Sequence, residues 1–221
     1  YFRDAGWTVV VADFRGHGRS GPAPNENGSW SYDDLVLRDL PAITRAVRER
    51  HPHGPLVFVG HSLGGHTGLA AAGLQKMMPQ PNAFVLLSSN LWRSEFEPSS
   101  WRRFRKFVAL KGLHFLVSRL GYFPSRKLRM GPCDESQDYM LQLIEYWSSE
   151  TWSSKNGHFD YGAGLPYLDT PVLSVIGRGD KLMAHWDGAR TWFDALNLPN
   201  GECWLTERAY GTSQWHPDHM S

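Results

Sequence analysis

A serine hydroxyl attacks a carbonyl at neutral pH only when a base takes its proton and the backbone exposes its oxygen. The stretch Val57-Phe58-Val59-Gly60-His61-Ser62-Leu63-Gly64-Gly65 is suited to the second task. Glycines on both sides of Ser62 allow a sharp strand-to-helix turn that lifts the hydroxyl above a sheet edge. The same turn aims the amide of Leu63 at a developing oxyanion, and the unpaired N–H groups at a helix start add positive polarity. A GxSxG pentapeptide also occurs by chance as a plain tight turn. Here it follows an apolar strand and opens a small-residue helix, the context that the chemistry requires.

The base needs an orienting acid, and in such a fold the chain order is serine, acid, histidine. Asp180 ends the apolar run Pro171 to Ile176 in a Gly177-Arg178-Gly179-Asp180 turn, 118 residues after Ser62. Asp160 and Asp169 also precede the last histidines, but neither ends a strand. The alternative reading of Asp180 is a turn or helix cap, the common work of loop aspartates. His216 and His219 follow Asp180 by 36 and 39 residues, and either serves as base on spacing alone. His17, His61 and His66 are poorer bases; His61 neighbours the serine and is expected to point away from it.

These side chains need a parallel sheet under them. Thr8 to Asp13, Leu56 to Val59, Ala83 to Ser88, Pro171 to Ile176 and Glu202 to Thr206 read as strands. Helical stretches run from near Asp39 to Arg50, with Ser31 and Asp34 as a capping box ahead of them, from Gly64 to Leu74, and from Trp186 to Leu196. The expected fold class is α/β, a mostly parallel sheet with helices on both faces. The alternation stops between Leu91 and about Pro166, where apolar residues recur at helical spacing. Residues 1–90 and 169–221 are therefore assigned to the core, and residues 91–168 to a helical lid. Its aromatics, among them Trp92, Trp101, Phe104, Phe107, Phe115, Tyr122, Phe123, Trp147 and Trp152, either line an apolar pocket or form the lid's own core.

With 221 residues, 41% hydrophobic and a net charge of +1, the chain is of ordinary globular composition. No run of 18 apolar residues exists, so stable membrane insertion is not expected. Cys133 and Cys203 lack metal-ligand or CxxC spacing and read as free thiols. No metal or organic cofactor is implied, and no nucleic-acid motif is present. Between Arg93 and Arg129 ten Lys and Arg face only two acids, Glu95 and Glu97. Such a run draws in anionic substrates or a membrane surface, or is a solvated helix face. The chain opens on Tyr1 and stops at Ser221, and both ends read as interior to a longer, cytoplasmic protein.

Taken together these residues resemble the α/β-hydrolase superfamily, in its serine aminopeptidase S33 and monoacylglycerol lipase-like branch. Asp13-x-Arg15-Gly16-His17-Gly18-x-Ser20 is similar to the loop after its fourth strand, and Gly60 to Gly65 to its nucleophile elbow. Leu120-Gly121-Tyr122-Phe123-Pro124-Ser125-Arg126-Lys127-Leu128 with Gly131 is similar to the cap of a group of bacterial hydrolases. In that group a terminal Asp-His-Met carries the base, which implies His219, with His216 the alternative. The superfamily takes its second oxyanion donor from a loop ahead of the point where this chain begins, so only Leu63 is expected to contribute here. The resemblance implies a serine hydrolase acting on a small-molecule ester or related acyl bond. An acyltransferase using the same acyl-enzyme, or a non-catalytic ligand-binding protein, is the alternative.

Overall fold

The computed structural model describes residues 2–75, 78–181 and 183–206. Ser31 starts the first helical stretch as expected: its side chain accepts from the Asp34 amide at 3.2 Å, and the Asp34 carboxylate accepts from the Ser31 amide at 2.9 Å. The helix begins seven residues before the expected start near Asp39, because Pro41 does not break it. One α-turn, α1 (Tyr32–Asp34), passes through a π-turn at Leu35–Asp39 into α2 (Leu40–Arg50). The wider turn lets the chain continue past a proline that has no N–H to give to the preceding turn.

The core strands are β1 (Val57–His61), β2 (Ala83–Leu87), β5 (Val172–Gly177) and β6 (Gly201–Thr206), all parallel in the order β1-β2-β5-β6. Between them run α3 (Leu63–Gly73) after β1 and α6 (Trp186–Ala195) before β6. Phe84, Leu86, Val172 and Ile176 are buried beneath these helices. Between β2 and β5 the chain leaves the sheet for α4 (Ser100–Leu120), a two-residue hairpin of β3 (Tyr122–Phe123) and β4 (Glu135–Ser136), and α5 (Gln137–Tyr146). Both cysteines are free thiols.

One expected strand does not form. Residues 8–13 lie outside every β-ladder, and Val9, Val10 and Val11 are 47, 50 and 87% exposed. A cleft of about 730 Å³, lined by Val10, Ala12, Val57 and Val59 among others, separates this segment from the β1 edge. An extended segment becomes a strand only when a neighbour about 4.8 Å away takes its hydrogen bonds, and across the cleft β1 is not that neighbour.

Segment 91–168 shares the main core: Val117, Phe123, Tyr139, Tyr146 and Trp152 join one cluster with Trp30, Tyr32, Leu69 and Phe84. Polar ties reinforce the contact. Asp33 accepts from the Gln142 amide group, the Tyr161 hydroxyl at 2.7 Å and the Lys155 amide at 2.9 Å. The Arg15 guanidinium pairs with Asp34 and Asp39, and His17 Nε2 reaches Glu135 at 3.2 Å. The hydrogen bond to Glu135 raises the His17 pKa against its partial burial, tying the glycine-rich loop to the hairpin.

His66, inside α3, is buried, with Nδ1 3.0 Å from the Tyr32 hydroxyl, and burial pushes its pKa down to about 3. The folded protein then binds fewer protons here than the unfolded chain, so this contribution is complete above pH 6.5 and is lost as pH falls toward 3. Each pH unit in that window costs about 1.4 kcal/mol for the one proton. In urea unfolding at pH 4 to 7, His66→Gln is expected to show a shallower acid loss than the native protein. Parallel pH profiles for the two would show that His66 is not buried neutral.

Candidate active site

Ser62 sits between the last residue of β1 and the first of α3 with φ 47° and ψ −114°, a conformation that a side-chain-bearing residue rarely adopts. Several bonds hold it there. Its amide donates to Leu87 O at 2.9 Å, continuing the ladder to β2. Its carbonyl accepts from the Gly65 amide at 3.1 Å and from the Ser89 hydroxyl at 2.8 Å. Ser89 was not foreseen: its partner is 27 residues away, and the only trace in the sequence is a pair of serines after an apolar strand.

The glycines divide differently from expectation. A Cβ on Gly60 would come within 2.6 Å of Gly64 C and Gly65 N, and one on Gly65 within 2.5 Å of Ser89 Oγ. These two permit the close approach of strand and helix. A Cβ on Gly64 would meet nothing within 4 Å, so the second glycine of the pentapeptide is not sterically required. Gly60, His61 and Gly64 border the large cleft beside β1, whereas Asp180 does not.

Leu63 is the first residue of α3, so its N–H is among the amides with no acceptor inside the helix. Asp180 follows β5 by three residues, is 3% exposed, and accepts from the Met183 amide at 2.9 Å and the Ala184 amide at 2.7 Å, one on each oxygen. The register aligns His61 with Leu87 and Leu87 with Val175, which brings Ser62 and Asp180 to the same C-terminal edge with β2 between them. Two strand spacings put β1 and β5 roughly 10 Å apart. The β6 strand ends at Thr206, paired with Gly177 at the same edge. His216 and His219 follow it and lie outside the described residues. Among the earlier histidines, His66 is buried and hard to protonate, and His17 is held by Glu135.

A charged network ties α4 to the loop after Asp180. Glu97, 2% exposed, bonds Lys106 Nζ at 2.9 Å and Arg102 Nε at 2.8 Å; Arg102 also bonds Asp187, which in turn meets His185 Nδ1. Burial alone would raise the Glu97 carboxyl, but the Lys106 ammonium and the Arg102 guanidinium outweigh it and hold it below the usual carboxylate range. Trp92 adds an indole N–H to Met183 O at 2.6 Å and a ring face to Lys106. The basic run in the sequence hides this network, since its acid partner Asp187 is 85 residues from Arg102.

The aromatics of segment 91–168 separate. Phe123, Trp147 and Trp152 are buried, whereas Trp101, Phe104, Phe107 and Phe115 are 65, 59, 46 and 68% exposed. The latter four are neither core nor pocket lining over the elbow.

A parallel sheet with a strained serine at a strand-to-helix turn and a buried carboxylate two strands along defines the α/β-hydrolase class. The chain belongs to the serine aminopeptidase S33 family, whose sequence profile matches residues 1–138. It is 26% identical over 209 residues to a non-heme chloroperoxidase of Streptomyces lividans, covering 86% of this chain and 70% of that protein. It is 28% identical over 220 residues to a protein of Stutzerimonas stutzeri named "putative carbamate hydrolase RutD", covering 89% and 71% respectively. A solved structure of the metagenome-derived lipolytic enzymes LipS and LipT superposes with a TM-score of 0.59 at 20% identity, over 93% of this chain and 74% of that one.

The elbow makes a steric prediction. Gly60→Ala forces backbone atoms apart and is expected to lose more than about 2 kcal/mol of stability. Gly64→Ala, in open space at the start of a helix, is expected to be neutral or to gain about 0.5–1 kcal/mol. Chemical denaturation of the two variants measures the difference, and equal losses would contradict the assignment of the close contact to Gly60.

Proposed function

We propose that this hydrolase cleaves a carboxylic ester through an acyl-enzyme on Ser62. A histidine from the C-terminal segment, His219 in our reading and otherwise His216, takes the Ser62 proton as the hydroxyl oxygen attacks the carbonyl carbon. Asp180 orients the imidazole and balances its positive charge, and the Leu63 amide stabilises the oxyanion. The proton passes to the leaving alcohol as the C–O bond breaks. Water, deprotonated by the same histidine, then releases the acid and restores Ser62. Segment 91–168 acts as a lid, and the acyl group lies between it and the elbow.

The observation that carries this reading is the positive φ of Ser62 at the head of α3, with Asp180 on the same sheet edge two strands away. Strain at a non-glycine residue persists only where surrounding bonds hold it, and it clusters at sites of chemistry. The similarity to RutD, whose name gives a carbamate as its substrate class, is in keeping with attack at a carbonyl.

A fluorophosphonate is expected to label Ser62 in the full natural protein, and Ser62→Ala to lose both labelling and ester turnover. Asp180→Asn is expected to lower kcat by about 10⁴, as loss of the orienting acid does in serine triads generally. Of His219→Ala and His216→Ala, the first should abolish labelling and the second should leave it within a few-fold. Turnover that survives Ser62→Ala would refute the nucleophile; survival in His219→Ala alone would move the base to His216.

A further inference from the structure

Helix α4 buries one stripe, and the stripe opposite it is also apolar. Lys106, Leu110 and Val117 are buried, with Arg102 and Leu113 partly so, along the face toward the protein. At about 100° per residue, Trp101, Phe104, Val108 and Phe115 stand on the far side. They are 65, 59, 51 and 68% exposed, and the rings of Trp101 and Phe104 stack with centroids 6.1 Å apart. A helix on a protein surface ordinarily turns polar residues outward. An exposed apolar stripe running about 20 Å along the helix, from Trp101 to Phe115, marks a surface that something covers.

The surrounding charge is of one sign. Of the ten cations between Arg93 and Arg129, Arg93, Arg102 and Lys106 are taken up by Glu95, Glu97 and Asp187. The seven others, Arg103, Arg105, Lys111, Arg119, Arg126, Lys127 and Arg129, are exposed. No acid occurs from Pro98 through Cys133. The turn that carries Arg126, Lys127 and Arg129 also exposes Leu128 and Met130. Beside the stripe opens a groove of about 320 Å³ lined by Ser94, Ser100, Arg103, Phe104, Phe107 and Trp147, where a guanidinium and two hydroxyls stand among aromatic rings.

We propose that the outward face of α4 docks the protein on an anionic lipid surface. Such a surface offers both things the face lacks, an apolar phase for the rings and negative headgroups for the cations, and aromatic and basic residues on one surface helix suit burial at the headgroup boundary. No helix among the described residues is long and apolar enough to cross a membrane, so the contact is interfacial. A second copy of this chain fits poorly, because a twofold interface sets the same patch against itself and would oppose cations to cations with no acid between them. The groove receives a headgroup, its phosphate against Arg103 and its upper acyl carbons against Phe104 and Phe107.

The test is co-sedimentation of the full natural protein with vesicles of phosphatidylcholine alone and with phosphatidylserine added. Binding is expected on the mixed vesicles, far weaker on neutral ones, and falling with salt. With each cation near the surface worth about 5-fold, Arg105→Gln/Lys111→Gln/Arg119→Gln should weaken binding by about 100-fold. Trp101→Ser/Phe104→Ser/Phe115→Ser should remove it without changing the circular dichroism spectrum or Tm. Absence of binding to either vesicle overturns the proposal, as does binding indifferent to the cation changes. A native dimer in sedimentation velocity that the serine variant makes monomeric, without vesicle binding, would assign the face to a second copy instead. The readout is binding, so it stands or falls apart from the identity of the nucleophile.

Discussion

The structure turns on one backbone conformation, the positive φ of Ser62. Strain of this kind costs on the order of 1–3 kcal/mol, and here it is held from two directions. The Leu87 carbonyl takes the Ser62 amide, while the Ser89 hydroxyl and the first turn of α3 take its carbonyl. Both supports depend on β2 lying beside β1 in its observed register. A slip of one residue would remove Leu87 from the Ser62 amide and turn every side chain of the strand to the other face. The burial of Phe84 and Leu86 therefore does more than build a core. It holds the register that keeps the serine strained.

The same logic extends to Asp180. A buried carboxylate is tolerable because its oxygens meet the Met183 and Ala184 amides, and those amides belong to a turn that is itself anchored from outside the sheet. Trp92 bonds the Met183 carbonyl, and Arg102 bonds Asp187 shortly after it. Arg102 is fixed in turn by Glu97, buried with Lys106. Removing one partner from such a group leaves an uncompensated buried charge, which costs far more than the pair contributes. Displacement of α4 would thus be felt in the turn that holds the acid.

Much of this was legible in the residues because local patterns carried it. The elbow announced itself through an apolar strand, glycines and a small-residue helix; the paired strands and the Ser31 cap fell within a residue or two of their expected bounds. What was not legible depends on partners distant in sequence. Thr8 to Asp13 has every intrinsic mark of a strand, yet strand identity is a property of pairs, and a cleft lies where its neighbour toward β1 would be. Pro41 looked like a helix start because the π-turn that accommodates it leaves no compositional trace. The roles of Ser89, Asp33 and Asp187 rest on contacts spanning 27 to 128 residues. His216 and His219 fall beyond the described residues.

Helix α4 shows why periodicity alone misreads a helix with two apolar faces. Its apolar residues recur at helical spacing, yet they divide between an inner stripe led by Leu110 and Val117 and an outer one led by Trp101 and Phe115. The two cancel as a signal of direction, so the sequence shows a helix without showing which way it faces. The cations do not resolve the ambiguity by themselves, since Lys106 and Arg102 point inward to Glu97 while Arg105 and Lys111 point out. What separates them is the position of the acids. Glu97 and Asp187 lie only on the inner side, so inner cations are neutralised within the protein and outer ones keep their field in solution. One helix thereby serves two electrostatic environments, fastening to the turn that bears the acid on one side and presenting uncompensated positive charge around exposed rings on the other.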